Sequence, residues 1–179
     1  KRAIKIFTWV SVGIVVLASG VWLGLGQVSG SIKRVDVFGK LTNRPDRVSS
    51  AVNYLVVGSD TRIGLTRAEI KELKVGSRKV ADGARSDTMM LIHISKKRDK
   101  AVIISIPRDT YVVVPEHLSM DGKRTIPATP AKINAAFNWG GAPLLIKTLE
   151  TKTNLRIDHY VEVSFLGFKN MVDALGGIT

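Results

Sequence analysis

The chain contains no cysteine, which removes a disulfide framework and every thiolate metal site, zinc fingers included. No glycine-rich segment ends in Gly-Lys-Ser or Gly-Lys-Thr, and Gly58-Ser59-Asp60 is too short to cradle nucleotide phosphates, so ATP binding is unsupported. Neither Gly-x-Ser-x-Gly nor His-Glu-x-x-His occurs, which sets aside serine hydrolases and zinc proteases. Histidine is scarce, with three in all, and none has a partner at metal-ligand spacing. His93, inside an apolar run, reads as a satisfied core or face histidine. Acids are absent from residues 1–30, and over the whole chain 15 of them face 27 bases. From residue 31 onward 24 bases stand against 15 acids, a surplus that suits an anionic partner such as phosphate, nucleic acid or an acidic polymer; on charge alone a solvated basic surface is an equal reading. At 179 residues and 45% hydrophobic composition the chain can build a true core.

Lys1, Arg2 and Lys5 precede an uncharged apolar stretch, Ile6 to Gly26, whose 21 residues suffice to cross a bilayer at ~1.5 Å per residue. A transmembrane helix is expected over 6–26, with residues 1–5 as a basic cytoplasmic tail and Trp9 and Trp22 near the two interfaces. The stretch is longer than the apolar part of a signal peptide and no Ala-x-Ala site follows, which favours an uncleaved anchor. The chain does not open on Met, and its natural N-terminus is expected upstream. Residues 27–51, rich in Gly, Ser, Lys, Arg and Asp, read as a tether or a first loose strand.

Residues 52–179 read as one extracytoplasmic domain of mixed α/β (α+β) class, a central mixed sheet covered by helices. Val52 to Val57 is a short buried strand ending in a glycine turn. Ile63 to Ala84 is a polar surface loop with a helical turn near Arg67 to Leu73. Two apolar runs, Thr88 to Ile94 and Ala101 to Ile106, flank the polar patch Ser95 to Asp99, the pattern of a β-hairpin. A turn centred on Lys97 and Arg98 pairs residues whose numbers sum to 195, which sets Asp87 opposite Arg108. The second run is nearly continuous rather than alternating, so it is expected as a central strand covered on both faces. Tyr111 to Val114 is expected to extend it, and Glu116 to Pro130 to be irregular. A short helix opens at Lys132 and closes at Gly140-Gly141. A second runs from Pro143 to about Asn154, with Leu144, Leu145, Thr148 and Leu149 on one face. Asp158 to Val163 is a strand, Ser164 an N-cap, and Phe165, Phe168, Val172 and Leu175 are core residues of a last helix ended by Gly176-Gly177. The rest of this domain is expected beyond Thr179.

With the first strand antiparallel to the second, Asp60, Asp87 and the pair Arg108-Asp109 fall at one edge of the sheet. Two carboxylates without thiol or paired imidazole offer only hard oxygen ligands, suited to magnesium or manganese. Arg62, Arg85 and Arg108 add guanidinium forks that match phosphate oxygens. That set is equipped to bind a pyrophosphate and to stabilise charge as a P–O bond breaks. The competing reading of the same residues is an Asp-Arg ion-pair network at a sheet edge.

Five ordered stretches carry a resemblance: Asn53 to Arg62 (NYLVVGSDTR), Arg85 to Leu91 (RSDTMML), Ser105 to Val112 (SIPRDTYV), Lys132 to Phe137 (KINAAF), and Asp158 to Phe168 (DHYVEVSFLGF) followed by Asp173 to Gly177 (DALGG). Together they resemble the LytR-CpsA-Psr family from about residue 51 to the end. The resemblance implies a single-pass membrane protein whose outer domain is a phosphotransferase, attaching a polyprenyl-phosphate-linked glycopolymer (teichoic acid, capsule or arabinogalactan) to peptidoglycan. A muramyl hydroxyl would attack the sugar-proximal phosphate, and polyprenyl phosphate would leave. By motif match Asp60 and Asp87 fall on the family's magnesium-binding acids, and Arg62, Arg85 and Arg108 on its phosphate-contacting arginines. Asp109 completes the Arg-Asp pair as an orienting residue. A nucleic-acid-binding role fits the charge but not a domain across a membrane from DNA, without interleaved basic and aromatic residues. A non-catalytic, membrane-anchored scaffold for anionic wall polymer is the alternative function.

Overall fold

The computed structural model describes residues 34–39, 41–59, 66–72 and 86–177, together with residues 13 and 15; of residues 67, 69, 72 and 87 it describes the backbone alone. Two compact units are present, Lys1–Asp36 and Val37–Thr179. Among the described residues no helix is long and apolar enough to cross a membrane. The expected span over 6–26 lies outside them except for Gly13 and Val15, both helical. The basic tail, residues 1–5, and the start of the expected tether also lie outside.

In the second unit β1 (Val52–Ser59), β2 (Ser86–Ile94) and β3 (Ala101–Ile106) are successively antiparallel, and β8 (His159–Ser164) runs parallel to β1. The resulting order β3-β2-β1-β8 makes a mixed sheet and an α+β fold. The β2–β3 ladder pairs Met89 with Ile106 through Ile94 with Ala101, so every pair sums to 195, as the turn position predicts. A six-residue helix, α1 (Arg67–Glu72), occupies the β1–β2 connection where a helical turn was expected.

Strand alternation decides what is buried. Leu55 and Val57 of β1 and Met89 and Leu91 of β2 share one face and join a buried cluster with Leu144, Leu145, Ile146 and Leu149 of α2 (Ile133–Thr153). The two helices expected here are one element with a break at Gly141, whose φ of 63° and ψ of −157° lie where only glycine rests without strain. Asn154 closes the second segment in the left-handed conformation, its N–H donating to Glu150 O at 2.9 Å.

Several expectations give way to the structure. β3 is an edge strand among the described residues, with Val102, Ile103 and Ile104 exposed rather than covered on both faces. A continuous apolar run records a strand's tolerance of burial, not its place in the sheet. β4 (Tyr111–Val114) does not extend β3. It turns away after Pro107 and pairs with β7 (Thr129–Lys132), burying Val112 and Val114 and exposing Tyr111 and Val113. The expected irregular stretch holds a small hairpin, β5 (His117–Leu118) with β6 (Thr125–Ile126). The last helix, α3 (Phe165–Ala174), buries no residue fully, and Phe165, Phe168 and Leu175 are exposed instead of core.

Within the expected tether, Val37, Phe38 and Arg44 make contacts with the domain. Val37 enters the core, and Arg44 reaches the buried Glu150 carboxylate with Nη2 at 2.7 Å and Nε at 3.1 Å. The same carboxylate accepts the Ile157 N–H at 2.8 Å, while Arg44 Nη2 also donates to Ile157 O. Phe38 lies under the guanidinium, 4.6 Å from it.

Candidate functional site

The site region is one end of the central sheet. β1 finishes there at Ser59, β2 begins at Ser86, β3 finishes at Ile106 and β8 finishes at Ser164; the ladders pair Ser59 with both Ser86 and Ser164. Asp60 and Arg85 are the chain neighbours of that Ser59–Ser86 pair. Asp60, Arg62 and Arg85 lie outside the described residues, as does the side chain of Asp87. The backbone of Asp87 is informative. Pairing runs from Val52 with Ile94 to Gly58 with Thr88, then steps to Ser59 with Ser86, so Asp87 is the extra, unpaired residue of a β-bulge. Bulges concentrate beside active sites, where they release one residue from the strand's alternation. Beside it Ser86 is fully buried, and its hydroxyl is without a hydrogen-bond partner among the described residues.

Arg108 sits two residues past the last β2–β3 pair, in the β-turn Pro107-Arg108-Asp109-Thr110 closed by Thr110 N to Pro107 O at 3.0 Å. The Thr110 hydroxyl donates to the same carbonyl at 2.7 Å. Pro107 suits this place because it has no N–H to continue the ladder. The start of α2 abuts the turn: Ile133 N donates to Thr110 O at 2.9 Å and Asn134 N to Arg108 O at 3.2 Å. Asp109 pairs with Lys132 at 3.1 Å, both well exposed. The sequence argument did not foresee Lys132 as its partner.

A second helix starts at this sheet end. Ser164, the last residue of β8, caps α3, accepting the Gly167 N–H at 3.1 Å. The starts of α2 and α3 thus bring two positive dipole ends to a place where phosphate charge would be favoured. On the sheet face opposite the α2 core, a groove of about 540 Å³ is lined by Val56, Gly58, Thr88, Met90, Phe165 and Phe168, among others. Its walls are almost wholly apolar. Periodicity assigned the α3 aromatics to the core because it detects an apolar stripe without saying whether protein covers it. On β8 the Tyr160 hydroxyl donates to Glu162 Oε2 at 3.0 Å, and burial together with that carboxylate holds its pKa well above the ordinary phenol value.

No cluster of three or more metal-ligating side chains exists among the described residues, a set that excludes Asp60 and the Asp87 side chain. His93 behaves as expected of a face histidine, its Nδ1 2.7 Å from Asn53 Oδ1.

The model of the LytR_cpsA_psr family matches residues 28–179. The chain belongs to that family. Among curated relatives it is 43% identical over 130 residues to a Corynebacterium glutamicum protein named "Probable cell wall biosynthesis protein LcpB", covering 73% of this chain and 28% of that one. It is 32% identical over 181 residues to the polyisoprenyl-teichoic acid–peptidoglycan teichoic acid transferase TagU of Oceanobacillus iheyensis, covering 93% of this chain and 48% of TagU. The chain therefore spans half or less of the length of these relatives. Of solved LytR_cpsA_psr structures, the crystal structure of Bacillus subtilis TagT superposes with a TM-score of 0.51 at 26% identity, covering 83% of this chain and 42% of TagT. TagT bound to LI-WTA gives 0.50 at 27% identity, covering 82% and 42%. These neighbours share the mixed sheet and its flanking helices.

Proposed function

We propose that this protein is a membrane-anchored phosphotransferase that attaches a polyprenyl-phosphate-linked glycopolymer to peptidoglycan. One observation carries the reading: four strand ends, the Asp87 bulge, the Arg108 turn and two helix starts gather at one end of the sheet, and there β1, β2, β8 and the start of α3 also line an apolar groove. A phosphate joined to a long hydrocarbon needs both halves of that arrangement, cationic and dipolar groups for the head and an apolar trough for the tail. The names of TagU and of TagT bound to LI-WTA support the same substrate class. The uncharged stretch 6–26 would hold the enzyme in the membrane with its N-terminus cytoplasmic and the domain outside, where lipid-linked donor and wall acceptor meet.

In the transfer, a muramyl hydroxyl oxygen forms a bond to the sugar-proximal phosphorus and gives up its proton. The bridging P–O bond breaks, and its electron pair leaves with polyprenyl phosphate. Arg62, Arg85 and Arg108 hold the phosphate oxygens and answer the charge that builds on them. Asp109, tied to Lys132, steadies the Arg108 turn. Asp60 and Asp87 would hold magnesium or manganese, a donor set of hard oxygens at a bulge beside the Ser86 hydroxyl, which is unsatisfied among the described residues. Bound there, the ion supplies Lewis-acid polarisation of a phosphoryl oxygen.

The test is Arg108→Ala with lipid-linked polymer and peptidoglycan supplied to the full chain. Losing a charge-assisted contact that strengthens in the transition state costs about 3–4 kcal/mol, or roughly a hundred- to a thousandfold in turnover. Arg108→Lys should recover little, because a point charge does not reproduce a bidentate fork. Transfer at the parent rate by folded Arg108→Ala refutes the active-site reading and leaves the scaffold alternative.

A further inference from the structure

A second cavity, of about 390 Å³, lies between the β5–β6 hairpin and α2, lined by His117, Leu118, Met120, Ile126 and Trp139 among others. The hairpin is fixed to the helix: the His117 and Trp139 rings stack with centroids 5.5 Å apart and planes 9° from parallel, and Lys147 Nζ donates to Glu116 O at 3.0 Å. Both side-chain hydroxyls in the lining are spent. Ser119 Oγ donates to Asp121 at 2.5 Å and accepts the Arg124 N–H, and the Thr129 hydroxyl donates to Pro127 O at 2.7 Å. The His117 ring is only half spent. Its Nδ1 lies 2.8 Å from Pro115 O, and because a carbonyl only accepts, that nitrogen carries the proton in the neutral ring. Nε2 is then a bare acceptor, with no other hydrogen bond to it among the described residues.

An apolar cavity with one acceptor selects a ligand group that is apolar apart from a single N–H or O–H donor. An N-acetyl group has that form, a methyl beside an amide N–H. The cavity's place in the fold points the same way. α2 begins by donating to the Arg108 carbonyl, and Trp139 stands five residues beyond Asn134, about 7.5 Å along the axis at ~1.5 Å per residue. We propose that this cavity is the acceptor subsite, holding an N-acetyl group of the glycan that receives the polymer, with its amide N–H donating to His117 Nε2 and its methyl packed beside Trp139. The assignment of the glycan as acceptor rests on the transfer reading above; the binding itself does not.

Trp139 supplies its own reporter, because the other tryptophans are Trp9 and Trp22. In the full chain carrying Trp9→Phe and Trp22→Phe, chitotetraose should change Trp139 fluorescence saturably, and cellotetraose, which has the same linkage without N-acetyl groups, should not. His117→Phe keeps an aromatic ring on the indole but removes the acceptor, and should weaken chitotetraose binding about tenfold, the worth of one hydrogen bond in this setting, while the domain stays cooperatively folded despite losing the bond to Pro115 O. Equal responses to the two sugars, or unchanged affinity in His117→Phe, overturn the proposal. So does a response to a peptidoglycan stem peptide alone, which would make the cavity a peptide site. No transfer is measured, so failure here leaves the Arg108 result standing, and failure of Arg108→Ala to lose activity leaves the binding result standing.

Discussion

Glu150→Ala should be the most damaging single truncation outside the site region. The carboxylate is 3% exposed and accepts three hydrogen bonds, two from Arg44 and one from the Ile157 N–H. Truncation orphans a buried backbone donor and leaves a guanidinium, 14% exposed, facing only Phe38 and a carbonyl among the described residues. Breaking such a pair from one side costs about 3–5 kcal/mol. For a domain of this size each kcal/mol moves the melting temperature by roughly 3 °C, giving a fall of about 10–15 °C. Thermal unfolding of the full chain followed by near-ultraviolet circular dichroism measures it. A cycle with Arg44→Met tests the coupling: the double variant should lose less than the sum of the singles by roughly 2 kcal/mol, because no unpaired charge remains. A fall under about 3 °C, or additivity within about 0.5 kcal/mol, would show that residues 37–51 merely lie on the domain and that the knot does not hold them.

Asp87→Asn keeps the bulge but removes the carboxylate charge proposed to hold the metal, so transfer should fall and lose its response to added magnesium; undiminished transfer in excess chelator would exclude a metal role. Gly141→Ala forces a side chain into a glycine-only conformation at φ 63°, ψ −157°, and should cost about 1–3 kcal/mol, seen as a lower melting temperature with the α2 register intact. Tyr160 has a folded pKa raised by burial and by Glu162. Its contribution to stability is therefore whole below its unfolded value near ~10 and is lost as pH rises beyond it. One of the three tyrosines should ionise only when the domain unfolds in an alkaline absorbance titration, and Tyr160→Phe should abolish that late step.

Local chemistry was readable where it sufficed to fix structure. The five-residue polar patch set the β2–β3 register, Ser164 capped the helix after it, and Asn154 ended α2 at the expected place. Long-range partners were not readable. Nothing near Arg44 names Glu150, which lies 106 residues away. Nothing in Ala101 to Ile106 tells an edge strand from a central one, because apolarity is a property of the segment and coverage a property of its neighbours. Of the site, the sequence grouped Asp60, Asp87 and Arg108 at one sheet end from strand direction alone, and the backbone agrees for the segments that carry them. The groove escaped notice because Phe165 and Phe168 have the spacing of core residues.

The bulge at position 87 has a consequence for how such a site arises. A strand's two faces are assigned by parity, so one additional residue reverses the assignment of everything on its far side. Were Asp87 paired in an unbulged ladder it would oppose Ser59, placing an acid in line with Leu55 and Val57 on the core face; set aside in the bulge, it lets Ser59 oppose Ser86, which is buried there instead. No substitution achieves that exchange. It takes an insertion, and for the same reason it withstands substitution: Asp87→Ala changes the chemistry and keeps the frame, and even deleting residue 87 would leave Ser86 opposite Ser59 in a regular ladder, removing only the released position. Position 87 is thus a place made by chain length rather than by composition: the ladder closes on either side of it, and the residue that stands there is free of the strand's alternation.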